Sequence, residues 1–317
     1  MDQMLPPDAF NMTQELIILV ASVKAGIISA LEDKSMSPEE LAAILQADSR
    51  SIWTVCEALA ALGYLATDGK RYGLSAEAKK MFFDPDDPSY IGLFFLHRHN
   101  MLKNWIRLDE VIASGKPVVS EKSKEQTKTF MEHMDFNASK SARGIADFCI
   151  GSLDSGKKVL DIGGGPLTYA KAFASLGASV TVFDLPNVVE HMRLKTEERN
   201  IEMIAGDFTE SLPPGHFDLA FLGNICHIVG EQENRELFKR AHACLAPTGK
   251  IIIVDFIRGT GPKAAVFAVN MLVQTENGGT WTLEQYSQWL TEAGFNNIKL
   301  HGVSGRQLIS AKKAAGC

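Results

Sequence analysis

VLDIGGGPLTYAKAFASLG, residues 159–177, is the stretch of sequence that decides the fold. An apolar run typical of a buried strand leads into three consecutive glycines, after which Pro166 opens a helix that ends at Gly177. Glycines let the backbone approach a ligand closely and turn its N–H groups toward that ligand. The stretch therefore predicts a strand–turn–helix unit that binds a ligand.

Two acidic residues further along the chain suggest what this ligand is. Asp184 ends the next strand, in VFDLP, where an acidic side chain meets the hydroxyls of an adenosine ribose. Asp207 and Phe208, in the sequence GDF, follow another strand. An acid and an aromatic ring at that place could bind the edge and the face of an adenine.

Strands and helices alternate from Lys157 onward, which predicts a parallel sheet with right-handed crossovers. We expect strands at 158–162, 179–183, 201–205, 217–222 and 250–256, and helices at about 167–176, 187–199 and 231–245. A helix at 283–293, begun by a Thr282/Gln285 capping box, precedes two further strands at 296–301 and 307–312. The short connection between those two strands predicts an antiparallel pair.

The first 150 residues indicate a mainly helical region with the outline of a winged helix. A capping box of Ser37 and Glu40 begins one helix, a second covers about 49–62, and a hairpin follows at 64–74. Residues 37–83 carry five basic and six acidic side chains, whereas a DNA-binding face normally presents several cations. We expect this region to dimerise, and a regulator that binds DNA is the alternative.

Composition is that of an ordinary globular protein, and the length is comfortable for two domains. The chain has 317 residues, 45% hydrophobic and 22% charged, with a net charge of −6. No C-x-x-C pair occurs among the five cysteines, which argues against a disulfide framework and a zinc site. The first ten residues do not resemble a signal peptide. We expect a cytoplasmic protein without affinity for nucleic acid or membranes.

A glycine-rich turn also occurs in dinucleotide-binding dehydrogenases, but two features argue against that class. Thr168 occupies the position where the dinucleotide motif needs Gly or Ala for close packing of helix and strand. The antiparallel pair at the end of the chain also fits the sheet of a methyltransferase better than that of a dehydrogenase.

An ordered series of motifs carries a definite resemblance: DIGGGP, FDLP, GDF, NICH, LAPTGKIIIVDF and GGTWTLEQYSQWLTEAGF. The chain resembles the class I methyltransferases that use S-adenosylmethionine (SAM), and in particular the two-domain O-methyltransferases of plant caffeate-type and bacterial natural-product enzymes. The resemblance implies a Rossmann-like, seven-stranded α/β sheet behind a helical winged-helix domain. It also implies a homodimerisation domain at 1–90, a helical connector lining the acceptor pocket at 91–150, and a SAM-binding catalytic domain at 151–317.

The resemblance further implies which residues act. His227 would be the general base and Asp255 its partner, without a metal, and S-adenosylhomocysteine (SAH) would be the second product. The cofactor would be bound by Asp161, Gly163, Gly165, Asp184, Leu185, Asp207, Phe208, Gly223 and Asn224. The small-molecule acceptor would be bound by His97, Met101, Met131, His133, Met134, Phe267, Asn270 and Met271.

Three departures from the family pattern keep other reactions open. The usual His-Asp-Trp is His227-Ile228-Val229, and GGTWT is too short to supply the second carboxylate that orients the histidine in plant members. Leu167 replaces the usual glycine and could reshape the pocket for the methionine part of SAM. Methylation of N, S or C, and a SAM-dependent reaction without methyl transfer, are therefore alternatives.

Overall fold

The computed structural model describes residues 9–92, 101–118, 124–151, 156–193 and 200–314. The chain divides into two compact units, residues 1–103 and 104–317. Within the described ranges, no helix combines the length and the apolar character needed to cross a membrane.

The first unit is helical, with one hairpin. Its elements are α1 (Ala9–Lys24), α2 (Ile27–Ala30), α3 (Pro38–Leu45), α4 (Ser49–Ala61), β1 (Leu65–Thr67), β2 (Tyr72–Leu74) and α5 (Ala76–Phe83). The predicted capping box of Ser37 and Glu40 begins α3, and Gly63, with φ of 84°, follows the end of α4. The predicted helices and hairpin are thus confirmed, while their assignment as a winged helix stays a prediction.

The second unit contains a seven-stranded sheet with helices packed on both faces. Its elements are α6 (Leu108–Ser114), α7 (Lys124–Ile150), β3 (Lys158–Ile162), α8 (Thr168–Ser175), β4 (Ser179–Asp184), α9 (Pro186–Arg193), β5 (Ile201–Ala205), β6 (Phe217–Gly223), α10 (Glu231–Cys244), β7 (Leu245–Asp255), α11 (Pro262–Gln274), α12 (Leu283–Glu292), β8 (Phe295–Val303) and β9 (Arg306–Lys313). The strand order is β5-β4-β3-β6-β7-β9-β8. The five strands from β3 to β7 are parallel, whereas β9 is antiparallel to both β7 and β8, which confirms the expected fold.

Alternate residues of the buried strands pack against different helices, as the period of two in a strand requires. Leu160 and Ile162 pack on the face covered by α10 and α12. Val159 and Phe221 pack on the opposite face, against α7 and α8. Because these strands are parallel, the loops that follow β3, β4, β6 and β7 meet at one edge of the sheet, which is where open parallel sheets bind ligands.

Leu167 has an unusual backbone conformation, and its side chain lies in the core. The helix expected to open at Pro166 begins at Thr168, because Leu167 is in the left-handed region with φ of 69°. Only glycine adopts this conformation without steric cost. The Leu167 side chain is fully buried among apolar residues of α7, α8 and the sheet. Core packing therefore offsets the backbone strain at a position where glycine is usual.

Replacing Leu167 by glycine tests this balance. The substitution relieves about 1–2 kcal/mol of backbone strain but removes a fully buried leucine, which typically contributes about 2–5 kcal/mol. The midpoints of these two ranges differ by about 2 kcal/mol, so we expect Leu167→Gly to lower the free energy of unfolding by about that amount, measured by denaturant titration.

Asn297→Gly is the matched control, because Asn297 also has a positive φ (53°) but an exposed side chain in the same unit. We expect that variant to stay within about 0.5 kcal/mol of the wild type. A Leu167→Gly variant as stable as the wild type would show that the buried side chain does not hold the turn.

Candidate active site

The glycine turn after β3 lies so close to the sheet that side chains are excluded from it. A Cβ on Gly163 would come within 2.6 Å of Cγ2 of Ile225, and one on Gly164 within 2.7 Å of Cγ1 of Val182. The Gly163 N–H donates to the carbonyl of Phe183 on β4 over 2.8 Å. These glycines allow a ligand to contact the backbone at the end of β3.

Asp184 fixes the position of this turn. One of its carboxylate oxygens accepts from the Gly165 N–H over 2.8 Å, and the other from the Leu185 N–H over 2.7 Å. Burial raises the pKa of Asp184, and the two backbone hydrogen bonds oppose that rise. Each carboxylate oxygen has a second lone pair, so Asp184 can still accept from hydroxyl groups of a ligand.

Asp161 is a buried acid beneath the turn with an unpaired oxygen. The residue is 1% exposed, and among the described residues its Oδ2 has no hydrogen-bond partner. Burial, and secondarily the negative charge of Asp184, raises its pKa to about 8. A buried acid without a partner is costly, so the site is suited to a ligand that brings a cation.

Asp207 lies just past β5, beside the end of β4. Its Oδ1 accepts from the N–H and the hydroxyl of Thr209 over 2.8 and 2.7 Å, which holds the carboxylate in a tight turn. Gly206 donates its N–H to the Asp184 carbonyl over 2.9 Å, and a Cβ on Gly206 would collide with the Phe183 ring. The ends of β4 and β5 thus present Asp184 and Asp207 side by side, with Phe208 packed partly into the core.

His227 and Asp255 form a buried pair at the same edge of the sheet. The imidazole Nδ1 lies 2.7 Å from Oδ1 of Asp255, and the residues are 7% and 3% exposed. Asp255 also accepts from the backbone N–H groups of His227 over 3.1 Å and Phe256 over 2.7 Å, and from the Tyr286 hydroxyl over 3.5 Å. A carboxylate facing Nδ1 holds the proton on that nitrogen, which leaves Nε2 as an acceptor.

The GGTWT segment holds the backbone next to His227. Gly279 donates its N–H to the His227 carbonyl over 2.9 Å, and the Trp281 indole donates to the Cys226 carbonyl over 3.0 Å. A Cβ on Gly278 would come within 2.5 Å of the His227 carbonyl oxygen. The short segment therefore supports His227 through backbone contacts.

Aromatic side chains form a wall beside the imidazole. The Phe267 ring meets His227 edge-on, with ring centroids 4.9 Å apart, and Phe256 stacks on Phe267 at 4.1 Å. Asn270 and Met271 on the same helix are buried, and Asn270 accepts from the Trp105 indole over 3.0 Å. This wall is apolar and suits a flat acceptor.

For the remaining residues assigned to the acceptor pocket, the structure describes no contact with His227 or Asp255. His97 lies outside the described residues, and Met101 belongs to the first unit. Met131, His133 and Met134 are on α7, where the Met131 methyl group lies 3.8 Å from the position of a Cβ on Gly165. Their roles stay predictions, as do the roles of all the other assigned site residues, including Leu185, which is 42% exposed, and Gly223.

Sequence reasoning missed three residues of this edge. Phe256 and Tyr286 contact Phe267 and Asp255 as described, and Arg306 donates a hydrogen bond to the Asn224 amide oxygen. Phe256 could have been found, because it directly follows Asp255. Tyr286 lies within the motif GGTWTLEQYSQWLTEAGF, but nothing in that motif indicates a contact with Asp255, and Arg306 lies outside every motif quoted above.

Comparisons with known proteins show the family to which the chain belongs. Residues 107–296 match the model of the O-methyltransferase domain. The chain belongs to the O-methyltransferase family. It is a methyltransferase whose cofactor is SAM.

Relatives in this family match nearly the whole chain. The tetracenomycin polyketide synthesis 8-O-methyl transferase TcmO of Streptomyces glaucescens is 26% identical, covering 92% of this chain and 91% of its own. The 3-hydroxy-5-methyl-1-naphthoate 3-O-methyltransferase of Streptomyces sahachiroi is 27% identical, with 89% and 86% covered. The SAM-dependent methyl transferase PigF of a Serratia strain is 24% identical, with 93% and 91% covered. The solved structure of PigF with SAH has a TM-score of 0.84 at 22% identity, covering 98% of this chain and all of that one, and shows the same fold.

The residues at the sheet edge fit SAM. The glycine turn leaves backbone exposed that a side chain would cover, and Asp161 offers a buried, unpaired oxygen to a positively charged group. Asp184 retains acceptor capacity for ribose hydroxyls. Within the described ranges, no three His, Cys, Asp or Glu side chains are grouped as metal ligands would be.

The raised pKa of Asp161 predicts a pH dependence of stability. The folded protein keeps the Asp161 proton up to about pH 8, whereas the unfolded chain releases it near pH 4. The contribution of Asp161 to the free energy of unfolding is therefore fully present below about pH 4 and is lost as pH rises to about 8. We expect Asp161→Asn to remove this decline in melting temperature between pH 5 and 8, without ligand.

The exposed Glu202 on β5 supplies the control, because Glu202→Gln also removes one acid and should keep the wild-type decline. If the melting temperature falls equally between pH 5 and 8 in the wild type and in Asp161→Asn, Asp161 is ionised in the folded protein.

Proposed function

We propose that the protein transfers the methyl group of SAM to a hydroxyl group of a small aromatic acceptor, with His227 as the general base. The observation that carries this proposal is the buried pair of His227 and Asp255, which lies beside an aromatic wall at the sheet edge that also carries the glycine turn. SAM supplies a methyl group made electrophilic by its positively charged sulfur.

The residues around the turn hold the cofactor in this proposal. Asp184 accepts from the ribose hydroxyls, while Asp207 and Phe208 contact the adenine. Gly163 and Gly165 lie against the amino-acid end, and Asp161 faces its ammonium group. Gly223 and Asn224, at the end of β6, border the sulfur. Support comes from the convergence of these residues at one edge of the sheet.

His227 makes the acceptor nucleophilic. A phenol has a pKa of about 10, so at neutral pH its oxygen is a weak nucleophile until the proton leaves. His227 takes that proton on Nε2 as the oxygen attacks the methyl carbon and the bond from carbon to sulfur breaks. Asp255 keeps the imidazole in the required tautomer and stabilises the positive charge that it gains. Alignment of the two reactants contributes to the rate through proximity.

An oxygen acceptor is also consistent with the relatives. Two of those named above are O-methyltransferases by name, one of tetracenomycin polyketide synthesis and one of 3-hydroxy-5-methyl-1-naphthoate. The rings of Phe256 and Phe267 would stack against such a flat molecule.

The proposal includes a homodimer. We assign residues 1–90 to a winged-helix dimerisation domain, 91–150 to a connector that lines the acceptor pocket, and 151–317 to the catalytic domain. Among its described residues, the first unit exposes four large apolar side chains, Ile17, Ile44, Trp53 and Leu62, which supports a protein partner for it. The described cysteines are free and buried, which is consistent with the reducing cytoplasm.

Asp184→Asn tests the cofactor site. The amide keeps the shape of the side chain but loses one acceptor and the negative charge, so hydrogen bonds to the ribose are weakened. We expect the dissociation constant for SAH to rise about 10- to 100-fold, measured by titration calorimetry.

Glu202→Gln again serves as the control and should bind SAH as the wild type does. Unchanged SAH affinity in Asp184→Asn would place the ribose elsewhere, and failure of the wild type to bind SAH would overturn the proposed function.

Variants of the His227 pair test the base. We expect His227→Gln to lower kcat by about 10²- to 10⁴-fold with a panel of phenolic acceptors, while SAH affinity stays near the wild-type value. Asp255→Asn should also lower kcat, because an amide facing Nδ1 no longer requires that nitrogen to carry the proton.

The exposed His216 provides the comparison, and His216→Gln should retain full activity. A His227→Gln enzyme that turns over at the wild-type rate at neutral pH would exclude His227 as the base.

A further inference from the structure

Arg306 lies at the reaction edge of the sheet although it is close to the end of the chain. It is the first residue of β9, and β9 runs antiparallel to β7, so the start of β9 lies beside the end of β7. The register pairs Asp255 with Gln307, the neighbour of Arg306. Topology therefore places a guanidinium next to the residues that follow β6 and β7.

The contacts of Arg306 join the cofactor region to the aromatic wall. Its Nη2 donates to the Asn224 amide oxygen, and its guanidinium carbon lies 5.5 Å from the centre of the Phe256 ring. Asn224 directly follows Gly223 at the end of β6, and β6 pairs with β3, whose end carries the glycine turn. The side chain is partly buried at this place.

The register of β3 with β6 places the glycine turn beside Gly223, and a Cβ on Gly223 would come within 3.3 Å of the Tyr169 ring. Asp161 lies against the same turn, because a Cβ on Gly164 would come within 2.9 Å of its Oδ2. Burial raises the pKa of the Tyr169 hydroxyl, the positive charge of Arg306 opposes that rise, and the negative charge of Asp161 adds to it. Tyr169 is in the first turn of α8, directly after the glycine turn. A basic and an acidic side chain thus flank the region between the glycine turn and Asn224.

Arg306 has donors without an anionic partner. Across the part of the chain that the structure describes, the ion pairs include those of Arg71, Arg107, Arg143 and Arg235, but none with Arg306. A guanidinium has five N–H donors, and the contact with Asn224 uses one nitrogen. Paired N–H groups of arginine match the two oxygens of a carboxylate.

We infer that Arg306 binds a carboxylate of a bound reactant within the active site. Two sources share this chemistry: the amino-acid end of SAM and a carboxylate on the aromatic acceptor. The cofactor is favoured, because its amino-acid end carries one ammonium and one carboxylate, and the region offers Asp161 for the first and Arg306 for the second. The inference rests on the proposed function, since it requires SAM at this edge.

Calorimetry with two cofactor analogues tests the inference without turnover. SAH carries the carboxylate, and S-adenosyl-3-thiopropylamine is the same molecule without it. We expect Arg306→Gln to weaken SAH binding about 10- to 100-fold and to leave binding of the decarboxylated analogue unchanged. The glutamine amide can still donate to Asn224, and retained binding of the analogue shows that the variant is folded.

A second arm distinguishes the acceptor as the source. In the presence of saturating SAH, 3-hydroxy-1-naphthoate and 2-naphthol differ only in the carboxylate. If Arg306→Gln weakens binding of the naphthoate alone and keeps SAH affinity, Arg306 binds the carboxylate of the acceptor, which also supports the inference.

Lys312→Gln is the matched control, because it removes one positive charge from the same strand at its far end, about 20 Å away. It should change neither affinity. If Arg306→Gln binds both SAH and 3-hydroxy-1-naphthoate with the wild-type affinity, the inference is overturned. The proposed function then still stands, provided that the wild type binds SAH. A wild type that binds no SAH would overturn both.

Discussion

Parallel pairing of β3 with β4 and β6, and of β6 with β7, is the constraint on which the rest of the site depends. It brings the ends of these strands to one edge of the sheet, where Asp161, Asp184, His227 and Asp255 collect although they are far apart in the sequence. The apolar strand interiors, packed between helices on both faces, hold this edge rigid. Catalysis by alignment requires such rigidity, because small displacements of the reactants reduce the rate strongly.

Two buried acids at this edge, Asp255 and Asp161, differ in the hydrogen-bond partners of their carboxyl oxygens. Asp255 accepts from His227, Phe256 and Tyr286, so its environment is complete without a ligand. Asp161 has an oxygen without a partner in the described residues, and its carboxyl group is kept protonated up to about pH 8. An acid whose oxygens all have hydrogen-bond partners is suited to positioning a base. An acid with an oxygen that lacks a partner is suited to binding a cationic ligand.

Departures from the family pattern acquire a physical explanation in the tertiary structure. The shortened GGTWT segment holds the backbone around His227 through Gly279 and Trp281, and Tyr286 supplies a further donor to Asp255. The backbone of Leu167 is strained by its left-handed conformation, but its side chain is fully buried in the core. Both departures are therefore compatible with the glycine turn and with the pair of His227 and Asp255.

The sequence by itself determined the order of helices and strands, the glycine turn and the antiparallel end of the sheet, whereas the pairing of His227 with Asp255 was expected only from the resemblance to the family. Local patterns suffice for the first three, because hydrophobic period, glycine placement and motif order are all written along the chain. Only the tertiary structure decided that Tyr286 and Arg306 reach the same edge, since a contact between distant strands and helices leaves no periodic signal. It also decided that Leu167 faces the core, because the direction of a side chain after a turn depends on φ, which the residue type alone does not reveal.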